Sequence, residues 1–315
     1  MTMNLQRLKP HLPWITLLAL VAIVGIFDPH FLKPANMLSL AGDIVPLFIM
    51  ALGLTFAIYI GGIDLSAQSM ANMITVVATV YLASFGFWVA ALCVIAGFLL
   101  GMVSGYVTTR LLVPSFISTL AVGGICFSIA QWLSGNRSLN MDAVQRDDVF
   151  GWMIGKSGIV PHELFIAAGL LAICLFIERR TTLGRALKAV GAGELAAAAS
   201  GLNVARYKIL AFAISGGLAA MAGLLFSVKL SGGAPTIANG FLLPAIVAVL
   251  VGGTPLTGGV GGVLNTAIGT MIVAVIRASM LYFGIAATQQ QMVFGLVLIV
   301  AIALTIDRSK LRTVK

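Results

Sequence analysis

Hydrophobic positions along this chain gather into runs about as long as a bilayer is thick, and the polar positions gather between them. Apolar runs fall near residues 13–27, 38–60, 65–84, 86–109, 114–133, 161–178, 208–229, 240–253, 261–276 and 289–306. A helix needs about 20 apolar residues to span a membrane, so the pattern predicts about ten transmembrane helices. Glycine pairs and prolines interrupt several runs, which predicts that some of these helices are discontinuous. The expectation is an all-α, polytopic helical membrane protein in which residues 1–315 form one transmembrane domain. Two connections exceed a turn, at about 134–160 and about 179–208.

Composition narrows the class further. Of 315 residues, 60% are hydrophobic and 9% charged, with a mean hydropathy of +1.07. A soluble domain carries about 25% charged residues. A net charge of +9 does not point to nucleic acid here, because the basic residues lie between the apolar runs. With the N-terminus placed in the cytoplasm, one side receives Arg7, Lys9, Arg110, Arg179, Arg180, Arg185, Lys188, Arg206, Lys208, Arg308, Lys310, Arg312 and Lys315. The other receives Lys33, Arg137, Arg146, Lys156, Lys229 and Arg277. Cytoplasmic loops are the ones enriched in Lys and Arg, so both termini are expected inside. The first run follows Arg7 and Lys9 but ends in Asp28-Pro29 rather than at a small-residue cleavage site, and reads as a retained span.

Candidate chemistry is sparse. Cys93, Cys126 and Cys174 sit singly in separate runs and read as small buried hydrophobes. His11, His30 and His162 are far apart, so no metal site is expected. Gly151 to Ser157 looks like a phosphate-binding loop, but three residues separate its glycines where four are needed. No catalytic residues are expected.

The most unusual segment is Gly61-Gly-Ile-Asp-Leu-Ser-Ala-Gln-Ser69, where a glycine pair breaks an apolar run and a carboxylate follows. An acid at membrane depth is costly. Two readings stand: Asp64 and Ser66 meet a polar substrate from a broken helix, or Asp64 caps the helix that follows. A second break, Gly252-Gly-Thr-Pro-Leu-Thr-Gly-Gly259, has a similar shape and suggests a distant internal repeat. Asp43 reads either as a late helix start or as a pore-facing acid. Arg277 reads as snorkelling to the interface in preference to a substrate contact. Gly97, Gly101 and Gly105 in one run, and Ala219 and Gly223 in another, have the spacing of close helix packing.

The longer connections differ. Residues 134–160 mix charges of both signs and read as a solvated loop or as a docking patch for an external protein. In the connection at about 179–208, Glu194 to Ser200 is alanine-rich, has an acid in its first turn and is followed by Gly201. That predicts a short helix outside the membrane, which at about seven residues needs packing to persist.

These blocks, in this order, resemble the membrane-spanning permease subunits of bacterial ABC importers of the ribose type. The resemblance rests on Ala51 to Thr55 leading into Gly61 to Ser66, on Pro114 to Leu120, on Gly184 through Leu202, and on Gly252 to Gly259. It covers nearly the whole chain. It implies a multi-pass protein of the bacterial inner membrane that translocates a monosaccharide or related polyol by alternating access. It also implies no cofactor on this chain, ATP being bound by a partner ATP-binding cassette subunit. The further implied partners are a periplasmic or extracellular sugar-binding protein, a second permease chain and the lipid bilayer. Thr55, Asp64, Ser66 and Gln68 become substrate-path candidates, and Gly193, Glu194, Ala197, Ser200 and Gly201 the coupling surface for the ATP-binding subunit. The chain departs from the family in carrying Gln68 where a glycine is usual, and Gly193 where an asparagine is usual. A competing class is an ion-coupled secondary carrier acting without an ATPase, with Asp43 and Asp64 as its acids.

Overall fold

The computed structural model describes residues 12–305, and these form fourteen α-helices with four two-residue strands. Helix α1 is Leu12–Phe27; a 3-10 turn, Pro29–Leu32, follows, with the Asp28 carboxylate accepting His30 N at 2.9 Å. Next come α2 (Pro34–Asp43) and α3 (Val45–Tyr59), bent by 52° at Ile44. The run at 38–60 is therefore two helices rather than one. Pro46 explains the break, since its ring excludes the carbonyl four residues back and it has no N–H to donate. Asp43 ends α2 instead of starting a helix, and its carboxylate lies exposed, 3.4 Å from Lys229 Nζ. Lys229 also reaches Glu163 at 3.1 Å and the Gly42 carbonyl.

The long spans follow as α4 (Ala67–Phe85), α5 (Trp88–Arg110) and α6 (Ser115–Ser134). The connection at about 134–160 is not simply a loop. It holds β1 (Leu139–Asn140), α7 (Ala143–Ile154), β2 (Lys156–Ser157) and β3 (Val160–Pro161). The Asp142 side chain caps α7 by accepting Gln145 N at 2.9 Å. Beyond it α8 (Glu163–Arg180) returns to the opposite end, where the connection at 179–208 folds into two helices. These are α9 (Thr182–Ala192), which the sequence reading missed, and α10 (Glu194–Ala199), which it expected. Gly201, at φ +82°, closes the second.

Helix α11 (Val204–Leu230) is the centre of the bundle. It packs along α5, α3 and α4, and β4 (Gly232–Gly233) after it pairs antiparallel with β1. The close approach of α5 needs glycine: a Cβ on Gly97 would overlap the Gly216 carbonyl, and one on Gly101 the Phe212 carbonyl. Gly223 likewise lies against the Ala71 carbonyl of α4. Helix α3 is hydrophobic all round and accordingly buried at every residue. By contrast, Trp88, Leu92, Ile95, Leu99, Val103 and Tyr106 form an exposed stripe at helical spacing along α5, as a lipid-facing surface should. The chain ends its described part with α12 (Leu242–Val251), α13 (Val263–Tyr282) and α14 (Ala287–Thr305).

The molecule is thus an all-α membrane protein, and each of the ten apolar runs carries helix. Among the described residues, five helices are long and apolar enough to cross a membrane alone, α4, α5, α6, α11 and α13, and the bent α2–α3 pair makes a sixth. Arg7, Lys9 and His11, and the four C-terminal basic residues from Arg308 onward, lie outside the described residues.

Candidate functional site

Three non-helical segments lie among these helices, and each is hydrogen-bonded to side chains of a neighbouring helix. Irregular backbone at membrane depth has no water to bond with, so its partners must be supplied by the protein.

The first segment runs from Gly61, at φ +69°, to Ser66. Ser115 Oγ on α6 accepts Ile63 N at 3.1 Å, and Thr119 Oγ1, one turn on, accepts Leu65 N at 3.1 Å. Asp64 is 2% exposed. Its Oδ1 accepts Ser66 N at 2.9 Å and Ser66 Oγ at 2.5 Å, and its Oδ2 accepts Ser215 Oγ of α11 at 2.6 Å. The carboxylate thus closes a tight turn just ahead of α4, whose N-cap is Ser66, and ties that turn to α11, with both oxygens engaged. Thr55 is fully buried, its Oγ1 2.7 Å from Thr266 Oγ1 on α13. Ser66 is likewise buried.

The second segment joins β4 to α12. Along α4, Gln68, Asn72 and Thr75 share one face at spacings of four and three, and each takes a piece of this segment. Thr75 Oγ1 accepts Ala234 N at 3.2 Å, Asn72 Oδ1 accepts Ala238 N at 2.6 Å, and Gln68 Oε1 accepts Gly240 N at 3.1 Å. The Asn72 and Gln68 amides both donate to Asn239 Oδ1, at 2.9 and 3.2 Å. From α14, Gln291 Nε2 donates to the Gly240 carbonyl at 2.8 Å. Gln68 alone had been singled out from the sequence; Asn72, Thr75, Asn239 and Gln291 had not. The signal was present as polar residues at i, i+4 and i+7 of an otherwise apolar run. Arg277 of α13 lies with its guanidinium carbon 4.5 Å from the centre of the Phe241 ring, and Phe226 meets that ring edge-on at 4.7 Å.

The third segment, residues 252–262, joins α12 to α13 and meets the first. Gly259 N donates to the Tyr59 carbonyl at 2.9 Å, and a Cβ on Gly61 would stand 3.3 Å from the Thr257 carbonyl. Helix α9 closes over both: a Cβ on Gly191 would overlap the Tyr59 carbonyl. Beside it, Lys188 Nζ lies 2.5 Å from Glu178 Oε1 and donates to the Gly261 carbonyl at 2.9 Å, while Glu178 Oε2 accepts Val263 N at 3.0 Å. Between the first and third segments lies a cavity of about 190 Å³. Leu54, Ile58, Ile63, Asp64, Ile246, Leu256 and Leu298 line it.

At the same end as α9, helix α10 presents Leu195 at 89% exposure, and Glu194 pairs with Lys208 of α11 at 2.5 Å. Ala197 is buried against the rest of the chain, and Ser200 Oγ donates back to the Ala196 carbonyl. Gly193 forms the joint between α9 and α10.

The family described as the permease component of the branched-chain amino acid transport system matches residues 36–302, an interval that contains all three segments and both short helices. The chain is 32% identical to the ribose import permease protein RbsC of Haemophilus influenzae, over 92% of this chain and 90% of the relative. The ribose import permease protein RbsC of Bacillus subtilis is 31% identical, over 95% of this chain and 92% of its own. The xylose transport system permease protein XylH of Escherichia coli is 28% identical, over 92% and 90%. No solved structure matches. A multi-pass helical bundle whose interrupted helices meet beneath a pair of short helices, matched over nearly its whole length, belongs to this family of transport-system permease components.

Proposed function

We propose that the chain is the translocating subunit of an ATP-binding cassette importer for a monosaccharide or related polyol, in a bacterial inner membrane. In this reading it crosses the bilayer ten times with both termini in the cytoplasm. Two copies, or this chain and a second permease, form the pathway. ATP is bound and hydrolysed by separate subunits docked on α9 and α10, and a binding protein delivers the sugar at the opposite face, near α7.

The observation that carries the reading is the contact of α9 with both broken segments, through Gly191 against Tyr59 and Lys188 against Gly261. A movement imposed on α9–α10 by a partner reaches the two breaks without an intermediate element. Leu195, almost fully exposed on a helix of six residues, supports a partner there, since a short helix needs packing. The named relatives import ribose and xylose, which supports a sugar as cargo.

The test is to extract the tagged chain from native membranes in mild detergent and identify its stoichiometric companions by mass spectrometry. An ATP-binding subunit should copurify, and Leu195→Asp and Gly201→Trp should each release it while the chain still inserts. A chain that purifies alone and moves solute in liposomes under an ion gradient would overturn the assignment.

A further inference from the structure

Arg277 is an ionised side chain in the apolar helix α13, half-buried, and such residues face a bundle interior or a path rather than lipid. Among the described residues no carboxylate pairs with it and no acceptor bonds its N–H groups; its contact is the face of Phe241. That ring is fixed by Phe226 at its edge and belongs to the segment pinned by Gln68, Asn72 and Gln291. A ring face draws the guanidinium charge without taking up its N–H groups, which stay available to a ligand. Two residues before the ring, Asn239 is exposed, and its Oδ1 is taken up by Gln68 and Asn72. Its Nδ2 donates to nothing among the described residues. This corner of the bundle therefore offers donors: a planar fork on α13 and an amide on the segment pinned by α4 and α14.

The helices that carry these donors' neighbours also reach the apolar cavity. Ile246 is five residues past Phe241 on α12, and Leu298 is seven past Gln291 on α14, so these lining residues stand about one and a half to two turns along their helices from Phe241 and Gln291. Polar donors set a turn or two along the helices from an apolar cavity suit a path for a hydroxylated solute.

We propose that Arg277, laid on Phe241, and the Asn239 amide form a site for the hydroxyl oxygens of an uncharged monosaccharide or polyol on its way through the chain. The proposal rests on the reading given under Proposed function. Hydroxyl oxygens suit these donors, and the Phe241 face already offsets the Arg277 charge. Because a soluble protein captures the sugar first, the site acts on translocation and not on capture.

The experiment measures sugar uptake and ATP hydrolysis together in proteoliposomes holding the complete importer with its loaded binding protein. Arg277→Gln should lower the maximal uptake rate about tenfold, the effect of losing one charged hydrogen bond. The apparent KM should stay unchanged, and hydrolysis stimulated by the binding protein should persist, so fewer sugars move per ATP. Arg277→Lys should be intermediate, since an ammonium lacks the fork, Phe241→Leu should also slip, and Phe241→Trp should retain coupling. Sugars moved per ATP at the wild-type value in both Arg277→Gln and Phe241→Leu would overturn the site. So would uptake and hydrolysis falling by one common factor in those variants, which would mark the residues as purely structural. A wild-type complex that moves no monosaccharide would overturn the proposed function and the site with it; wild-type uptake combined with either preceding outcome would overturn the site alone.

Discussion

The Tyr59 carbonyl accepts the N–H of Gly259 across 2.9 Å, joining the end of one broken helix to the turn of another two hundred residues later. Gly191 of α9 seats against the same carbonyl. Three parts of the chain distant in sequence thus meet at one carbonyl, and Gly191 and Gly259, having no side chain, leave room for it.

Gly191→Ala should therefore destabilise the protein although alanine is the better helix former. The propensity gain is about 1 kcal/mol, whereas overpacking a rigid contact costs about 1–3 kcal/mol, and the obstacle here is backbone that cannot swing aside. Gly169 in α8 is the control, because a Cβ there meets nothing within 4 Å. Thermal unfolding of the full chain in detergent should show a lowered midpoint for Gly191→Ala and an unchanged or raised one for Gly169→Ala. Equal midpoints would remove the close contact.

Glu178 and Lys188 tie α8 and α9 to the start of α13, and the two substitutions at Glu178 should differ. Glutamine keeps an oxygen for Val263 N and loses the charge, while alanine leaves both Val263 N and Lys188 without their partner. Glu178→Ala should be the more damaging by about 1–3 kcal/mol, the cost of a buried donor left unbonded. A double-mutant cycle with Lys188→Met should give a coupling of about 0.5–3 kcal/mol. Additive losses would mean that the pair at 2.5 Å contributes nothing beyond its separate contacts.

What could be read from residues alone followed from how local each signal is. The apolar runs, the glycine break at Gly61 and the alanine-rich α10 were legible because composition and capping act over a few neighbours. The bend at Ile44 had a visible cause in Pro46, obscured by the continuous hydrophobicity around it. Helices α7 and α9 were missed because their sequences are mixed in polarity, and their stability comes from packing that no window of sequence contains. The meeting of Gly191, Tyr59 and Gly259 could not be read at all, since each glycine alone signals only a turn. For Asp64, local sequence supplied both readings, and the partner that engages its second oxygen, Ser215, lies 151 residues away.

That bonding leads to a prediction about Asp64. As the acceptor that closes this turn it needs oxygen and geometry more than charge, so Asp64→Asn should keep most of the wild-type stability, its amide donating to Ser215 Oγ. Asp64→Ala should cost about 1–3 kcal/mol, as buried donors left unbonded do. In reconstituted complexes, ATP-driven uptake by Asp64→Asn should persist. Abolished uptake in a normally folded Asp64→Asn protein would instead show that the carboxylate takes part in transport through its charge or proton.

The face formed by Gln68, Asn72 and Thr75 should be separable into unequal parts. Asn72 is buried and accepts Ala238 N, itself a buried residue, so Asn72→Ala leaves a donor with no water to reach. Gln68 is half-buried, and the donors it releases, Gly240 N and Leu242 N, stand nearer to solvent. Asn72→Ala should then destabilise by about 1–3 kcal/mol, and Gln68→Ala by less. Hydrogen exchange on the full chain should locate both effects in residues 234–242, with protection falling about tenfold for each 1.4 kcal/mol of local opening. Thr75→Val, nearly the same shape without the hydroxyl, should speed exchange at Ala234. Uniform change across α4 and α11, with nothing concentrated in 234–242, would mean that these side chains stabilise the bundle as a whole and do not specifically hold the segment that bears Asn239 and Phe241.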